Sequence, residues 1–165
     1  MRFYSFTNWM LRPIQQGIQP GHAAVELFVK YTDPDDVHNP TQEMLWDWAR
    51  NHKTFVCLNG GNNTDIYELD RFMQSQENPY PYAPFYEDPD SLGGLMTSVG
   101  IVLSPRMYDA SAALRRYRGQ EPFFSENHTG WNAVVINDDN ESNFYEFSDW
   151  EKEMIERLSS AGLAS

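Results

Sequence analysis

The sequence has one cysteine and no long apolar segment. Cys57 has no partner for an intramolecular disulfide, and its place in the apolar run of residues 54–58 is typical of a buried thiol rather than a nucleophile. A chain of this kind suits a reducing compartment, and we expect it in the cytoplasm. No apolar run approaches the roughly 20 residues of a membrane-spanning helix, so no membrane partner is expected. Residues 1–6 lack the apolar stretch and cleavage site of a secretory signal.

Basic residues are scarce. Twelve Lys and Arg stand against 24 Asp and Glu, which gives a net charge of −12. Nucleic-acid binding depends on cationic side chains, and an acidic protein repels a polyanion. The composition therefore argues against a nucleic-acid partner. A negative charge of this kind most often serves solubility alone. The more specific interpretations are a basic protein partner or a small ligand in a locally positive pocket.

Motifs for metal centres and for common catalytic loops are also missing. The four histidines are scattered and the lone cysteine has no partner, so neither a metal site nor a cofactor is predicted. The sequence contains no Gly-x-Ser-x-Gly elbow and no phosphate-binding loop of the Walker type. The paired glycines at 60–61 and 93–94 are interpreted as turns.

The apolar pattern predicts strands alternating with helices in one domain of 165 residues. Strands are predicted over residues 2–11, 54–58, 85–86 and 95–103, with a C-terminal hairpin over 132–136 and 143–147. Because proline is awkward inside a helix, the first helix either begins near Pro20 or bends there. We therefore predict an α/β fold, a three-layer-like mixed β-sheet flanked by helices, with a C-terminal hairpin-plus-helix extension.

Two segments carry recognisable motifs. Residues 15–24 read Gln-Gln-Gly-Ile-Gln-Pro-Gly-His-Ala-Ala after a strand. Residues 85–90 form an acidic turn, Phe-Tyr-Glu-Asp-Pro-Asp, followed by Gly-Leu-Met-Thr at 94–97. Together they resemble the Pth2-like superfamily, the fold of the second class of peptidyl-tRNA hydrolases, and its short bacteriophage relatives. The first segment is similar to the Gln-x-x-His-Ala stretch on the first helix of those hydrolases.

The resemblance implies a core over roughly residues 2–104 and leaves residues 105–165 as an extension. It implies His22, Asp88, Asp90 and Thr97 as candidate catalytic residues. The hydrolases have Gly-Lys-Gly-Lys where residues 12–17 read Arg-Pro-Ile-Gln-Gln-Gly, so their catalytic lysine has no counterpart. Because cleavage of peptidyl-tRNA requires contacts to tRNA phosphates, this loss and the acidic charge predict no such activity.

Each catalytic candidate also has a structural interpretation. His22 is either a base or a residue that packs and donates a hydrogen bond to a backbone carbonyl. Asp88 and Asp90 form either a paired-carboxylate site or the turn around Pro89.

Arginines and tyrosines are the candidate ligand contacts. Arginine binds phosphate oxygens in a bidentate manner, so Arg12 and the cluster at 115–118 are candidates for a phosphate clamp. The cluster is equally typical of a solvated helix end. Glutamines add neutral donors, and tyrosine rings stack on nucleobases. The predicted ligand contacts are Arg12, Gln15, Gln16, Tyr82, Tyr86, Arg115, Arg116 and Arg118.

These features favour a phage-type accessory protein in the host cytoplasm that sequesters a small nucleotide-derived, phosphate-bearing ligand, with a host-defence signal among the candidates. Two alternatives stay open. One is a hydrolase of peptidyl-tRNA or of a smaller nucleotide ester, and the other is an acidic inhibitor of a host protein. A homo-oligomer is compatible with all three.

Overall fold

The computed structural model describes residues 1–33, 35, 39–117, 122–136 and 142–163. The chain divides into two compact units, Met1–Leu103 with Gly162–Ser165, and Ser104–Ala161. None of the helices in the described ranges is long and apolar enough to cross a membrane.

The first unit is built on one sheet. Its strands are β1 (Arg2–Thr7), β2 (Phe55–Asn59), β3 (Tyr82–Tyr86) and β4 (Met96–Leu103). Its helices are α1 (Pro13–Tyr31), α2 (Pro40–Asp47), α3 (Asn63–Met73) and α4 (Pro89–Leu92), and a π-helical turn follows α2 at Trp48–His52.

The strand order is β2-β1-β4-β3. β1 runs parallel to β2 and antiparallel to β4, and β3 is antiparallel to β4. The predicted mixed sheet of four strands is therefore confirmed. The first strand ends at Thr7 rather than at residue 11, because Asn8 begins a turn in which its side-chain oxygen accepts the Met10 N–H at 2.9 Å.

The first helix begins at Pro13 and continues through Pro20, so the first of the two predicted alternatives, a start near Pro20, is wrong. Proline is well suited to the first helical position, where its missing N–H would have no partner anyway. Pro20 is buried within the helix, which packs along β1, β3 and β4. Packing of the helix against the sheet outweighs the local preference of proline.

Helix α1 and strand β4 approach closely at Gly100. A Cβ atom there would lie 2.5 Å from the Phe3 ring and 3.2 Å from the Ala23 methyl group. Phe3 is fully buried and its ring contacts those of Trp48 and Phe55, at centroid distances of 5.3 and 4.9 Å. Glycine at this position therefore sets the distance between α1 and β4.

The second unit combines a small sheet with two helices. Its elements are α5 (Pro105–Arg116), β5 (Ser125–Asn127), β6 (Gly130–Ile136), β7 (Ser142–Phe147) and α6 (Asp149–Ser160). The predicted hairpin corresponds to β6 and β7, but β5 adds a third antiparallel strand in the order β5-β6-β7. The turn predicted at 138–140 lies outside the described residues.

A buried ion pair joins the helices of the second unit. The Arg106 guanidinium donates to the Glu151 carboxylate and, at 2.7 Å, to the Glu146 carbonyl. Glu151 is only 5% exposed. It also completes a capping box with Ser148, whose hydroxyl accepts the Glu151 N–H at 3.2 Å, so Ser148 caps the start of α6.

Candidate functional site

The two motif segments meet at one carboxylate. The Gln19 side-chain amide donates to Glu87 Oε1 at 2.5 Å, and the Thr97 hydroxyl donates to the same oxygen at 3.3 Å. Gln19 belongs to α1, Glu87 follows β3 and Thr97 lies on β4. We refer to these three residues as the Glu87 cluster.

A β-bulge brings Glu87 to this position. The pairing of β3 with β4 shifts by one residue between Phe85 and Tyr86, which locally changes the direction of the strand. The Glu87 N–H nevertheless donates to the Leu95 carbonyl at 2.9 Å, so the pairing continues past the bulge. The carboxylate is therefore fixed by the backbone and not by a free loop.

One atom of the Glu87 cluster lacks a partner. Gln19 is 5% exposed, and its buried Oε1 has no hydrogen bond to any part of the chain that the structure describes. Leaving such an oxygen without a donor costs about 1–3 kcal/mol. The site therefore offers a hydrogen-bond acceptor to a molecule that carries an N–H or O–H group.

Hydroxyl groups lie on the neighbouring strands. The Ser5 and Ser98 oxygens are 2.7 Å apart, and Ser5 is 3.4 Å from the Thr7 hydroxyl. All three residues are fully buried. Ser98 directly follows Thr97, so β4 carries two consecutive buried hydroxyl residues at its beginning.

His22 lies one helical turn after Gln19. Its ring is exposed on one side and packs edge-on against Phe85, with the ring centroids 4.4 Å apart. Residues three apart on a helix are neighbours on its surface, so His22 borders the Glu87 cluster. The edge-on contact with Phe85 corresponds to the packing interpretation of this histidine.

The two aspartates of the acidic turn lie at the start of α4. The Asp88 carboxylate accepts the Asp90 N–H at 2.8 Å and caps this short helix. Asp90 lies in its first turn, and both side chains are exposed. Their arrangement is that of a turn around Pro89.

The ligand contacts predicted between β1 and the first turn of α1 differ in exposure. Arg12 is exposed just before α1, and its N–H donates to Gln15 Oε1 at 3.1 Å. Gln16 is buried, and its amide donates to the carbonyls of Trp9 at 3.2 Å and Leu11 at 2.8 Å. Gln16 therefore stabilises the loop between β1 and α1, while Arg12 faces solvent.

The arginine cluster begins at the end of α5. The Arg115 guanidinium donates to the carbonyls of Leu158 at 2.7 Å and Ser159 at 3.2 Å, which lie in the last turn of α6. These bonds satisfy carbonyls that a helix end leaves open. Arg116 is exposed, and Arg118 lies outside the described residues.

The two candidate tyrosines lie on β3. The Lys30 ammonium is 3.8 Å from the Tyr82 ring centroid and donates to the Tyr82 carbonyl at 3.1 Å. Burial, with the charge of Asp70 as a further cause, raises the pKa of Tyr82 to about 12. Tyr86 is 46% exposed, so its ring is the more accessible of the two.

No protein-family model matches this chain, and no curated protein matches it. The chemistry of the site is therefore read from the side chains themselves. Within the ranges that the structure describes, no three His, Cys, Asp or Glu side chains are grouped to hold a metal ion.

Two members of the Glu87 cluster were not among the residues singled out from the sequence. Glu87 is the first acidic residue of the turn at 87–90. The sequence analysis assigned the catalytic role to the two aspartates that follow it. Gln19 opens the Gln-x-x-His-Ala stretch. The sequence could have indicated Glu87 through its position directly after a predicted strand, because the sheet fixes the direction of a side chain there.

A second buried carboxyl group lies on α3. Asp70 is 4% exposed, and its Oδ2 accepts the Gln74 amide at 2.7 Å. Its Oδ1 is buried without a hydrogen bond among the described residues. Burial raises the pKa of Asp70, and the opposing effects of Gln74 and Lys30 are smaller.

We expect Asp70→Asn to change the pH dependence of stability. A carboxyl group with a raised pKa in the folded state costs stability as it ionises, so the free energy of unfolding falls as pH rises through that folded-state pKa. Asparagine does not ionise. The variant should therefore gain stability relative to the natural chain as pH rises above about 4. Urea unfolding at several pH values measures this difference, and two parallel stability curves would contradict it.

Proposed function

We propose that this chain is a small-molecule-binding protein of the Pth2-like type, which holds a nucleotide-derived ligand at the Glu87 cluster without cleaving it. The observation that carries the proposal is the buried Oε1 of Gln19, which lies beside the Glu87 carboxylate and has no hydrogen bond to any of the described residues. A buried acceptor of this kind is satisfied by a bound molecule or by ordered water.

The Glu87 cluster suits the hydrogen-bond donors of a nucleotide. Glu87 and Gln19 present oxygen acceptors, which match an amino group on a base or the hydroxyls of a ribose. The same carboxylate repels a phosphate, so the phosphate must lie elsewhere.

Arg12 supplies a separate cation for the phosphate. It precedes Gln19 by seven residues, which corresponds to about 10 Å along the helix axis and nearly two full turns. Arg12 is exposed directly before the helix, and Gln19 is buried within it. A distance of this order fits a ligand with its donors at one end and its phosphate at the other.

Binding without hydrolysis agrees with the residues around the site. The segment at 12–17 contains no lysine. The Asp88 carboxylate is used as a helix cap, and the His22 ring packs on Phe85. None of these three features supplies a base for the activation of water.

One contact favours a hydrolase as a second candidate. The Thr97 hydroxyl donates to the Glu87 carboxylate, and a hydroxyl beside a carboxylate resembles an activated nucleophile. Thr97 is fully buried, so a substrate would have to reach below the surface, as a bound ligand must to reach the buried Oε1 of Gln19. The two candidates differ in whether the ligand is recovered unchanged.

Calorimetry with mononucleotides, cyclic mononucleotides and cyclic dinucleotides tests the proposal. We expect at least one of these probes to bind and to be recovered intact by chromatography after incubation. A probe that binds and is cleaved would support the hydrolase instead. If none of the probes binds, the proposal is wrong and inhibition of a host protein becomes the better hypothesis.

We expect Arg12→Glu to weaken binding of the best probe by about 1.5–3 kcal/mol, or roughly 10- to 100-fold, because a charged hydrogen bond to phosphate is lost. Since Arg12 is exposed, the melting temperature of the ligand-free protein should stay unchanged. Arg71→Glu is the matched control, because Arg71 is an exposed arginine on α3.

Glu87→Gln completes this test. It replaces one acceptor oxygen of the cluster by a donor of the same shape. If the natural affinity persists in both Arg12→Glu and Glu87→Gln, the ligand binds elsewhere and the proposed site is refuted.

A further inference from the structure

The solvent face of α1 is apolar. Ile14, Ile18, Val25 and Val29 are 71%, 48%, 60% and 73% exposed. Their spacings of four, seven and four residues place them in one stripe along the helix. A surface helix ordinarily has polar residues on this side, and a helix that is apolar on both faces is usually covered on both.

The helix that carries the stripe has little charge, although the chain is acidic. Between Pro13 and Tyr31, the sequence has one acidic and one basic residue, Glu26 and Lys30, although the net charge of the chain is −12. Two copies of this protein repel each other over most surfaces. Along α1 this repulsion is small, because the helix carries one acidic and one basic residue.

We infer that α1 is the contact surface between two copies of this chain, which pack their α1 helices antiparallel about a two-fold axis. The stripe is symmetric about the midpoint between residues 21 and 22. In an antiparallel pair, Ile14 faces Val29 of the second copy and Ile18 faces its Val25. A two-fold contact uses the same patch on both copies, and this spacing makes the patch complementary to itself.

Gly21 lies next to the point where the helices would cross, and Gly17 lies one helical turn before it. A Cβ atom added at Gly17 or Gly21 would meet nothing within 4 Å, so both positions are open on the helix surface. Small residues spaced by four allow two helix backbones to approach closely. The large side chains then pack on either side of the crossing point.

The ends of α1 carry opposite charges. Arg12 precedes the first turn, and Asp33 follows the last one. In the antiparallel pair, Arg12 lies opposite Tyr31 of the second copy, and Asp33 is only about 3 Å further along the axis. The opposed helix dipoles also attract each other. The charges thus favour the antiparallel arrangement over the parallel one, in which Glu26 would face Glu26.

Sedimentation velocity over a range of concentrations tests the contact in the full chain. We expect twice the monomer mass at high concentration. Ile18→Glu/Val25→Glu should be monomeric, because four carboxylates would crowd the two-fold axis. Val134→Glu/Ile136→Glu is the matched control, since it also replaces two exposed apolar residues, 59% and 57% exposed on β6, and should still form dimers. Thermal melting checks that both variants are folded.

Disulfide trapping tests the register. Ile18→Cys/Val25→Cys should form covalent dimers under mild oxidation, since residue 18 faces residue 25 of the second copy. Ile18→Cys alone should not, because the two copies of residue 18 are about 10 Å apart along the axis, beyond disulfide reach. The natural chain, oxidised in the same way, shows whether Cys57 alone forms covalent dimers.

The inference does not rest on the proposed ligand site. A chain that stays monomeric at every concentration overturns it. So does a dimer that survives Ile18→Glu/Val25→Glu, or efficient cross-linking through Ile18→Cys alone.

Discussion

Gly100→Val is expected to lower the free energy of unfolding by about 3 kcal/mol, because it inserts carbon atoms where the structure has no space. The first added carbon would already lie 2.5 Å from the Phe3 ring. That ring is fully buried and packs against the rings of both Trp48 and Phe55, so it has little freedom to move aside. Relief requires α1 to move away from β4, which would disturb the sheet interface.

Urea unfolding of the full chain measures this loss. Gly162→Val is the matched control, because a side chain at Gly162 meets nothing within 4 Å. The control should stay within about 0.5 kcal/mol of the natural chain. If Gly100→Val falls in the same range, the packing between α1 and β4 is looser than the structure indicates.

The second large effect is expected at the buried ion pair. Arg106→Ala removes the guanidinium that contacts the Glu151 carboxylate, and a buried carboxylate that loses its cation costs about 3–5 kcal/mol. The variant also loses the bond to the Glu146 carbonyl. We expect a loss near the lower limit, since the Arg106 side chain is 33% exposed.

Chemical denaturation followed by circular dichroism measures the effect of Arg106→Ala. Glu153→Ala is the control, because its pair with Arg157 is exposed on α6 and worth at most about 1 kcal/mol. In the double variant Arg106→Ala/Glu151→Ala, the losses should be clearly less than additive. Equal losses in Arg106→Ala and Glu153→Ala would contradict the assigned role.

The central sheet was predictable mainly through its longest strand. All eight residues of Met96–Leu103 are buried, and five of them are apolar. The run at 54–58 gave a similar signal for Phe55–Asn59, although this strand is more exposed. Such runs identify a strand before any neighbour is known.

Elements that depend on distant contacts were not predictable. Pro20 lies inside α1 because the helix packs against the sheet. Rules based on neighbouring residues in the sequence cannot predict that packing. Ser125–Asn127 is a strand of three polar residues, too short for an alternating pattern. The π-helical turn ends at Lys53, which has a left-handed φ of 55° that ordinarily favours glycine.

The candidate site was predictable as a segment but not as a side chain. The turn at 87–90 contains three acidic residues, and the sequence alone does not show which of them contacts α1. The bulge between Phe85 and Tyr86 makes that choice, because it changes the direction of the strand just before Glu87. A bulge arises from the pairing of two strands, so it leaves little trace in one of them.

The strand order has a consequence for synthesis of the chain. β1 pairs on one side with β4, and Ser5 and Ser98 in this contact are 93 residues apart. At roughly 5–20 residues per second, a ribosome takes about 5–20 s to cover that separation. Pairing with β2 becomes available earlier but leaves the other edge of β1 open. The nascent chain therefore carries an unpaired strand edge during this interval, and its susceptibility to aggregation is greatest before β4 leaves the ribosome.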